Sequence, residues 1–343
     1  MKRIVLCCDG TWNTADQEQP SEKGGTPCPT NVVKLGYRLA KRDGDVAQVI
    51  YYDQGVGTGN LVDRLSGGAF GEGLEDNIHD AYRFLVANYE PGDELYLFGF
   101  SRGAFTARSI GGMIRKCGIL ERRAVRHYRD AIALYRSEDH PDDPEPTRFR
   151  KDSSVAKESA IPIRMIGVWD TVGSLGIPLR GLRALTRREH QFHDTELSGS
   201  VQIACHALAI DEHRAPFEPT LWAHKPKPGQ QVEQVWFCGA HSDVGGGYAE
   251  TGLSDIALEW MIGRARVAGL AFDAAALEAY PLRPDPLGPL HDSKTGLYRL
   301  SAGIERAIGS DPTQSLHESV LARWRARPDY RPASLAGRNL AGD

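Results

Sequence analysis

Gly99-Phe100-Ser101-Arg102-Gly103 fits the pattern G-x-S-x-G. It follows an apolar run, Leu95-Tyr96-Leu97-Phe98, and leads into Ala104-Phe105-Thr106-Ala107-Arg108, which reads as the start of a helix. A serine on a sharp strand-to-helix turn projects above a sheet at a helix N-terminus, where exposed N–H groups favour a developing oxyanion. Such a turn needs small flanking residues, and glycines stand at 99 and 103. Serine is a poor nucleophile until a base takes its proton, so a histidine and an orienting acid are sought at other strand ends. Asp170 directly follows the apolar run Ile166-Gly167-Val168-Trp169, and His241 follows Val235-Trp236-Phe237-Cys238 after two small residues. In this arrangement Asp170 accepts from one imidazole nitrogen and fixes the tautomer. The other nitrogen of His241 deprotonates Ser101 and then protonates a leaving alcohol.

The chain order Ser101, Asp170, His241 is the order found in α/β-hydrolases. There are eleven histidines, and His317, which also comes late in the chain, is the rival base. Asp243 is the rival acid, or else an anchor for the loop Gly245-Gly246-Gly247. An oxyanion hole in such a site draws one donor from the residue after the nucleophile, here the Arg102 N–H, and another from an early strand–helix loop. Gly10 and Thr11, in Cys8-Asp9-Gly10-Thr11-Trp12-Asn13, suit that second role, with Asp9 holding the loop.

The elements that must carry these residues are legible as an alternation. Arg3–Cys8, Ala47–Tyr52, Glu94–Phe100, Ile163–Trp169 and Val232–Cys238 read as short buried strands. Asn31–Arg42 (after a Thr30 cap), Leu74–Tyr89, Ala104–Cys117 and Ser254–Ala268 carry helical spacing. Apolar strands alternating with helices predict an α/β fold: a mostly parallel central sheet with helices on both faces, its active site at the carboxyl ends of the strands. We expect a single α/β-hydrolase domain over 1–343, with irregular insertions near 14–29, 137–159 and 281–295. The chain has 343 residues, 41% hydrophobic and 25% charged, a composition that excludes global disorder.

At this point four ordered motifs are jointly recognisable: Cys-Cys-Asp-Gly-Thr-Trp-Asn from Cys7, Gly-Phe-Ser-Arg-Gly-Ala-Phe-Thr-Ala-Arg from Gly99, Val-Trp-Asp-Thr-Val-Gly-Ser from Val168 and Gly-Ala-His-Ser-Asp-Val-Gly-Gly-Gly-Tyr from Gly239. Together they closely resemble the α/β-hydrolase family typified by type VI secretion phospholipase effectors. The resemblance runs from about residue 2 to 260, with a weaker echo around His317. The segment His206–Glu212 through Phe217 and Trp222 looks like a further block of that family. The resemblance implies a Ser/Asp/His esterase acting on acyl esters, phospholipids in known members, with Ser101, Asp170 and His241 as its triad.

Forty-one Lys and Arg stand against forty-five Asp and Glu, for a formal charge of −4, which gives no basic field for nucleic acid. The expected substrate is a lipid or small ester. The alternatives are an esterase, thioesterase or acyltransferase on a soluble substrate, and a non-catalytic module that keeps the hydrolase fold for binding. Arg115, Lys116, Arg122, Arg123, Arg126 and Arg129, with a second group at Arg180, Arg183, Arg187 and Arg188, suit either a solvated face or peripheral contact with an anionic membrane. Leu175–Leu179 is a candidate lid or acyl-pocket wall. The glycine-rich stretches 55–59 and 67–73 lack the Lys-Ser/Thr of a P-loop. No cofactor is expected. Six cysteines without zinc-finger spacing argue for reduced, buried thiols and no structural metal, although Asp211, Glu212 and Asp243 have the chemistry to bind a cation. The absence of a signal-like or membrane-spanning run makes the cytoplasm the default location, and type VI export needs no such signal. The sequence specifies no oligomeric state.

Overall fold

Near-continuous apolar runs such as Ile4–Cys8 leave no polar face for solvent, so strands built from them must be covered on both sides. The computed structural model describes residues 1–10, 13, 16–21, 24–55, 67–157, 159–172, 197–222, 226–295, 298–299, 303–309, 311–338 and 340. Its strands in chain order are β1 (Lys2–Cys8), β2 (Glu18–Ser21), β3 (Gly24–Pro27), β4 (Arg42–Asp43), β5 (Val46–Asp53), β6 (Glu94–Phe100), β7 (Ile163–Trp169), β8 (Val201–Ala209), β9 (Gln231–Phe237) and β10 (Gln314–Leu316). The helices are α1 (Asn31–Gly36), α2 (Gly67–Asn88), α3 (Arg102–Cys117), α4 (Tyr128–Arg136), α5 (Pro144–Ser153), α6 (His241–Gly245), α7 (Gly252–Val267), α8 (Ala274–Ala279) and α9 (Glu318–Ala326).

Eight strands form one sheet in the order β10-β9-β8-β7-β6-β1-β5-β4, and β2 and β3 form a separate hairpin. Every pairing in the large sheet is parallel except that of the two-residue edge strand β4 with β5. Alternate residues face opposite layers. Ile4, Leu6 and Cys8 of β1 pack with Leu95 and Leu97 of β6 against residues of α2, α3 and α4. Val5, Cys7, Tyr96, Phe98 and Phe100 pack on the other side with residues of α1, α7 and α9. Trp169 and Trp236 are completely buried, and burial of each such side chain contributes roughly 1.5–3 kcal/mol or more. All six cysteines are buried, and none is paired in a disulfide.

The register sets the site. Cys8 lies opposite Gly99, Phe100 opposite Trp169, Trp169 opposite Ala207, and Ala209 opposite Phe237. Asp9, Ser101, Asp170 and the turn after β9 therefore leave the sheet side by side at its carboxyl edge.

Three expectations are corrected. The stretch 14–29, expected to be irregular, carries the antiparallel hairpin of β2 and β3, with Glu18 opposite Pro27 and Ser21 opposite Gly24. The stretch 137–159, expected to be irregular because of its prolines, contains α5. Pro144 and Pro146 fall in the first helical turn, where a missing N–H costs nothing. Arg150 then anchors this helix through the carbonyls of Lys116 and Pro141, at 3.0 and 2.7 Å. The helix expected over 31–42 stops at Gly36, and the chain turns so that Ala40 N–H donates to Ala271. Leu175–Leu179, the second arginine group and residues 57–59 lie outside the described residues.

Candidate active site

Ser101 caps α3 with φ 58° and ψ −121°. This is a conformation side-chain-bearing residues avoid, at a cost of about 1–3 kcal/mol. Neighbouring glycines make the turn feasible. A Cβ at Gly103 would drive into the Cys8 and Asp9 carbonyl oxygens, and one at Gly99 into the Gly103 backbone. The β6 strand thus passes into α3 with almost no intervening loop. Ser101→Gly is expected to raise stability by about 1 kcal/mol by releasing that strain, read as a higher urea midpoint at unchanged slope.

Asp170 ends β7, also with positive φ, at 41°. Its N–H donates to the Ala207 carbonyl at 2.7 Å. Its Oδ1 accepts from Ala209 N–H at 3.0 Å, and its Oδ2 lies 2.5 Å from Nδ1 of His241. Arg306 completes the shell, with Nη1 2.5 Å from Oδ1 and Nη2 3.0 Å from Oδ2. Burial pushes the Asp170 carboxyl up, but the Arg306 charge and the bonds from His241 and Arg306 outweigh it and hold the group well below the usual carboxylate range.

His241 opens α6, and its ring is wedged between aromatics. Phe100 lies 4.6 Å away, tilted, and Phe217 4.9 Å away, edge-on. Burial keeps the imidazole below its ordinary value, against the pull of Asp170 and Glu212. Glu212, fully buried, accepts from the His241 N–H at 3.3 Å, from Ser293 at 2.8 Å and from both the backbone and guanidinium of Arg214. Arg214 in turn lies over the Phe217 ring, 3.6 Å from its centroid.

The structure thus brings Asp170 and His241 into direct contact and sets Ser101 on the adjoining strand end. His317 is engaged elsewhere. Its Nδ1 accepts the Ser319 N–H as the cap of α9, and its ring stacks on Phe237 at 4.6 Å. Asp243 holds Ala240 N–H at 3.0 Å and His291, whose Nδ1 lies 2.6 Å from its Oδ1. Asp211 accepts from Gly239 N–H at 2.7 Å and from Tyr330 at 3.0 Å.

Gly10 sits directly beside Ser101: a Cβ on it would lie 3.2 Å from the Ser101 Cβ. Its N–H donates to Asp9 Oδ1 at 2.7 Å. Asp9 also accepts from Thr30 and Tyr52, both at 2.8 Å, which ties the loop to α1 and β5. Burial pushes the Asp9 carboxyl up to about 6 against those bonds. Thr11 lies outside the described residues. Arg102 is the first residue of α3, where an N–H has no acceptor within the helix.

Reading the sequence missed Arg306 and the roles of Glu212 and His206. The buried His206 accepts the Thr171 N–H on Nε2 at 3.1 Å and so braces the residue after Asp170. Burial drives its imidazole down to about 3, which keeps it a neutral acceptor. The basic group after α3 is less one-sided in space than in sequence. Arg115 pairs with Asp142 at 2.5 Å, Arg122 approaches Glu90 at 3.9 Å, and Arg123 pairs with Glu121. Among the described residues no helix is long and apolar enough to cross a membrane, and no group of three or more His, Cys, Asp or Glu side chains is placed to hold a metal ion.

A mostly parallel sheet covered by helices on both faces, with strained turns at its carboxyl edge, defines a protein of α/β-hydrolase-like fold. Residues 2–264 match the T6SS phospholipase effector Tle1-like catalytic domain, and the chain belongs to that family. It is 30% identical over 251 residues to the uncharacterized protein YEL023C of Saccharomyces cerevisiae, an alignment covering 66% of this chain and 33% of that one. An uncharacterized protein from Pseudomonas aeruginosa gives a TM-score of 0.42 at 18% identity, over 79% of this chain and 46% of the other. The Tle1 effector in its complex with the VgrG spike of the type 6 secretion system gives 0.40 at 21%, over 73% and 52%. The chain spans a third of the length of the yeast relative and about half of each solved chain.

Proposed function

We propose that the chain is a serine hydrolase that cleaves carboxylic esters of lipids, phospholipid acyl esters foremost, through an acyl-enzyme on Ser101. One observation carries the reading: the strained Ser101 turn stands at the same sheet edge as a buried Asp170–His241 pair with an Nδ1···Oδ2 distance of 2.5 Å. Membership of a phospholipase effector family supports the lipid ester as substrate and type VI delivery as the route.

In this mechanism Asp170 accepts the Nδ1–H of His241, which leaves Nε2 as the base. Nε2 takes the Ser101 proton as Oγ attacks the acyl carbon. The carbonyl oxygen becomes an oxyanion facing the Arg102 N–H, with Gly10 close beside the serine. Collapse expels the alcohol, which takes its proton from His241. Water then repeats the cycle on the acyl-serine and releases the fatty acid.

The test is intact-protein mass after a fluorophosphonate probe, on the wild type and on Ser101→Ala, followed by phospholipid vesicles against soluble p-nitrophenyl esters. A single adduct on the wild type, absent from Ser101→Ala, with faster release from vesicles, is the expected result. No adduct on folded wild type would overturn the reading in favour of a binding module.

A further inference from the structure

Asp170 has more partners than an acid needs to hold one imidazole. The Arg306 guanidinium meets both carboxylate oxygens, and both groups are completely buried. The same fork also donates through Nη1 to the Ala209 carbonyl at 2.7 Å and through Nη2 to the Phe217 carbonyl at 2.5 Å. It therefore joins the end of β7, the end of β8 and the turn that carries Phe217 onto the His241 ring. Oδ2 serves Arg306 and His241 at once. A fully buried ion pair is a weak source of stability, because desolvation offsets most of its attraction. Packing alone gives little reason to bring a guanidinium here. Arg306 also lies beyond the 2–264 stretch that matches the family model.

We propose that Arg306 is a positioning residue of the site: it fixes the plane of the Asp170 carboxylate and weakens the hold of Asp170 on a protonated His241, so that the imidazole remains a competent base in more acid medium. The proposal rests on reading Ser101, Asp170 and His241 as a triad. The charged and titratable groups that bear on His241 are Asp170, Glu212 and Arg214, and those that bear on Asp170 are Arg306, His241 and His206. Of these, Arg306 opposes protonation of His241 through Asp170. Glu212 favours protonation, and Arg214 offsets Glu212.

The sign follows. With Arg306 neutralised, the Asp170 charge acts on His241 alone, and the imidazole keeps its proton to higher pH. The base is neutral only above that pH, so the acid limb of kcat/KM moves up. Lysine at 306 keeps the charge and loses the fork. It leaves the limb in place and lowers kcat, because the carboxylate is less firmly oriented. A purely structural role would lower the folded fraction without moving the limb.

The experiment compares wild type, Arg306→Lys and Arg306→Met by kcat/KM from pH 4.5 to 9 on a soluble ester. In parallel, the His241 imidazole is titrated by NMR on 13C-histidine protein carrying Ser101→Ala, with His241→Gln to assign the signal. We expect Arg306→Met to raise both the limb and the imidazole titration by about one pH unit or more, and Arg306→Lys to leave both near the wild-type value. Unshifted titration in Arg306→Met would overturn the proposal. If Arg306→Met does not fold, Arg306→Gln, which removes the charge but keeps an amide donor, decides in the same titration: an imidazole titrating where the native-Arg306 protein does overturns the proposal, and one raised above it supports it. Absence of Ser101-dependent turnover would sink the hydrolase reading instead. The imidazole titration needs no turnover, so the two failures are distinguishable.

Discussion

Alanine at Ser101 or at His241 is expected to lower kcat for ester cleavage by about 10⁴–10⁶-fold, and alanine at both to lower it little further. The proton leaves Ser101 only as Nε2 receives it, so the two side chains act as one device and their losses do not add. Residual activity over water would come from the oxyanion donors and from binding. Ser101→Ala removes one oxygen from a turn whose shape is fixed by Gly99, Gly103 and the Cys8 and Asp9 carbonyls, so it should fold as the wild type does. Circular dichroism and an unchanged urea midpoint would show this. Additive losses, with the double variant slower than either single one by the product of the two factors, would mean that Ser101 and His241 do not share a proton.

Asp170→Ala is expected to lose activity by about 10⁴-fold and also to destabilise the protein by about 3–5 kcal/mol. The second effect has its own cause. Removing the carboxylate leaves the Arg306 guanidinium buried without its counter-charge and strands the Ala209 N–H that donated to Oδ1. Removing both charges should therefore be milder than removing one. Asp170→Ala with Arg306→Met should regain most of the lost stability and none of the activity. Urea unfolding at pH 7 measures the first and ester turnover the second. A double variant less stable than Asp170→Ala would contradict a shared buried pair. Because the Asp170 carboxyl is held below its unfolded value, its contribution to stability is present above about pH 4 and is lost as pH falls toward the folded value. The wild type should lose stability in acid, and the double variant, which has no carboxylate at 170 to protonate, should lose less.

The parts of this site that could be read from the sequence are those whose position is set locally. Ser101 lies between two glycines on a strand-to-helix turn, and Asp170 and His241 each follow an apolar run that could only be a buried strand. Glu94–Phe100 and Ile163–Trp169 are strands with the expected boundaries because they are apolar on both faces. β8 is different. Ala204, Ala207 and Ala209 with Gln202 and His206 give a weak β signal, yet the strand lies between β7 and β9, where small buried side chains fit. Arg306 carries no local mark at all. Ile304-Glu305-Arg306-Ala307-Ile308 has no turn, cap or spacing that names a partner, and its meaning comes only from the crossing that brings it to Asp170. Glu212 is similar: as one of two adjacent acids it resembles a cation ligand, but Arg214, Ser293 and the His241 N–H occupy its oxygens.

The buried thiols bear on where such a chain can fold and survive. Thiolate is the form that oxidises, exchanges and pairs. Burial pushes the thiols of Cys7, Cys117 and Cys238 up to about 12 and raises those of Cys8, Cys28 and Cys205 as well. At neutral pH these buried thiols stay protonated. The native state therefore requires no oxidant to form and offers an oxidant almost nothing to attack. A chain folded in a reducing medium can enter an oxidising one without acquiring a cross-link.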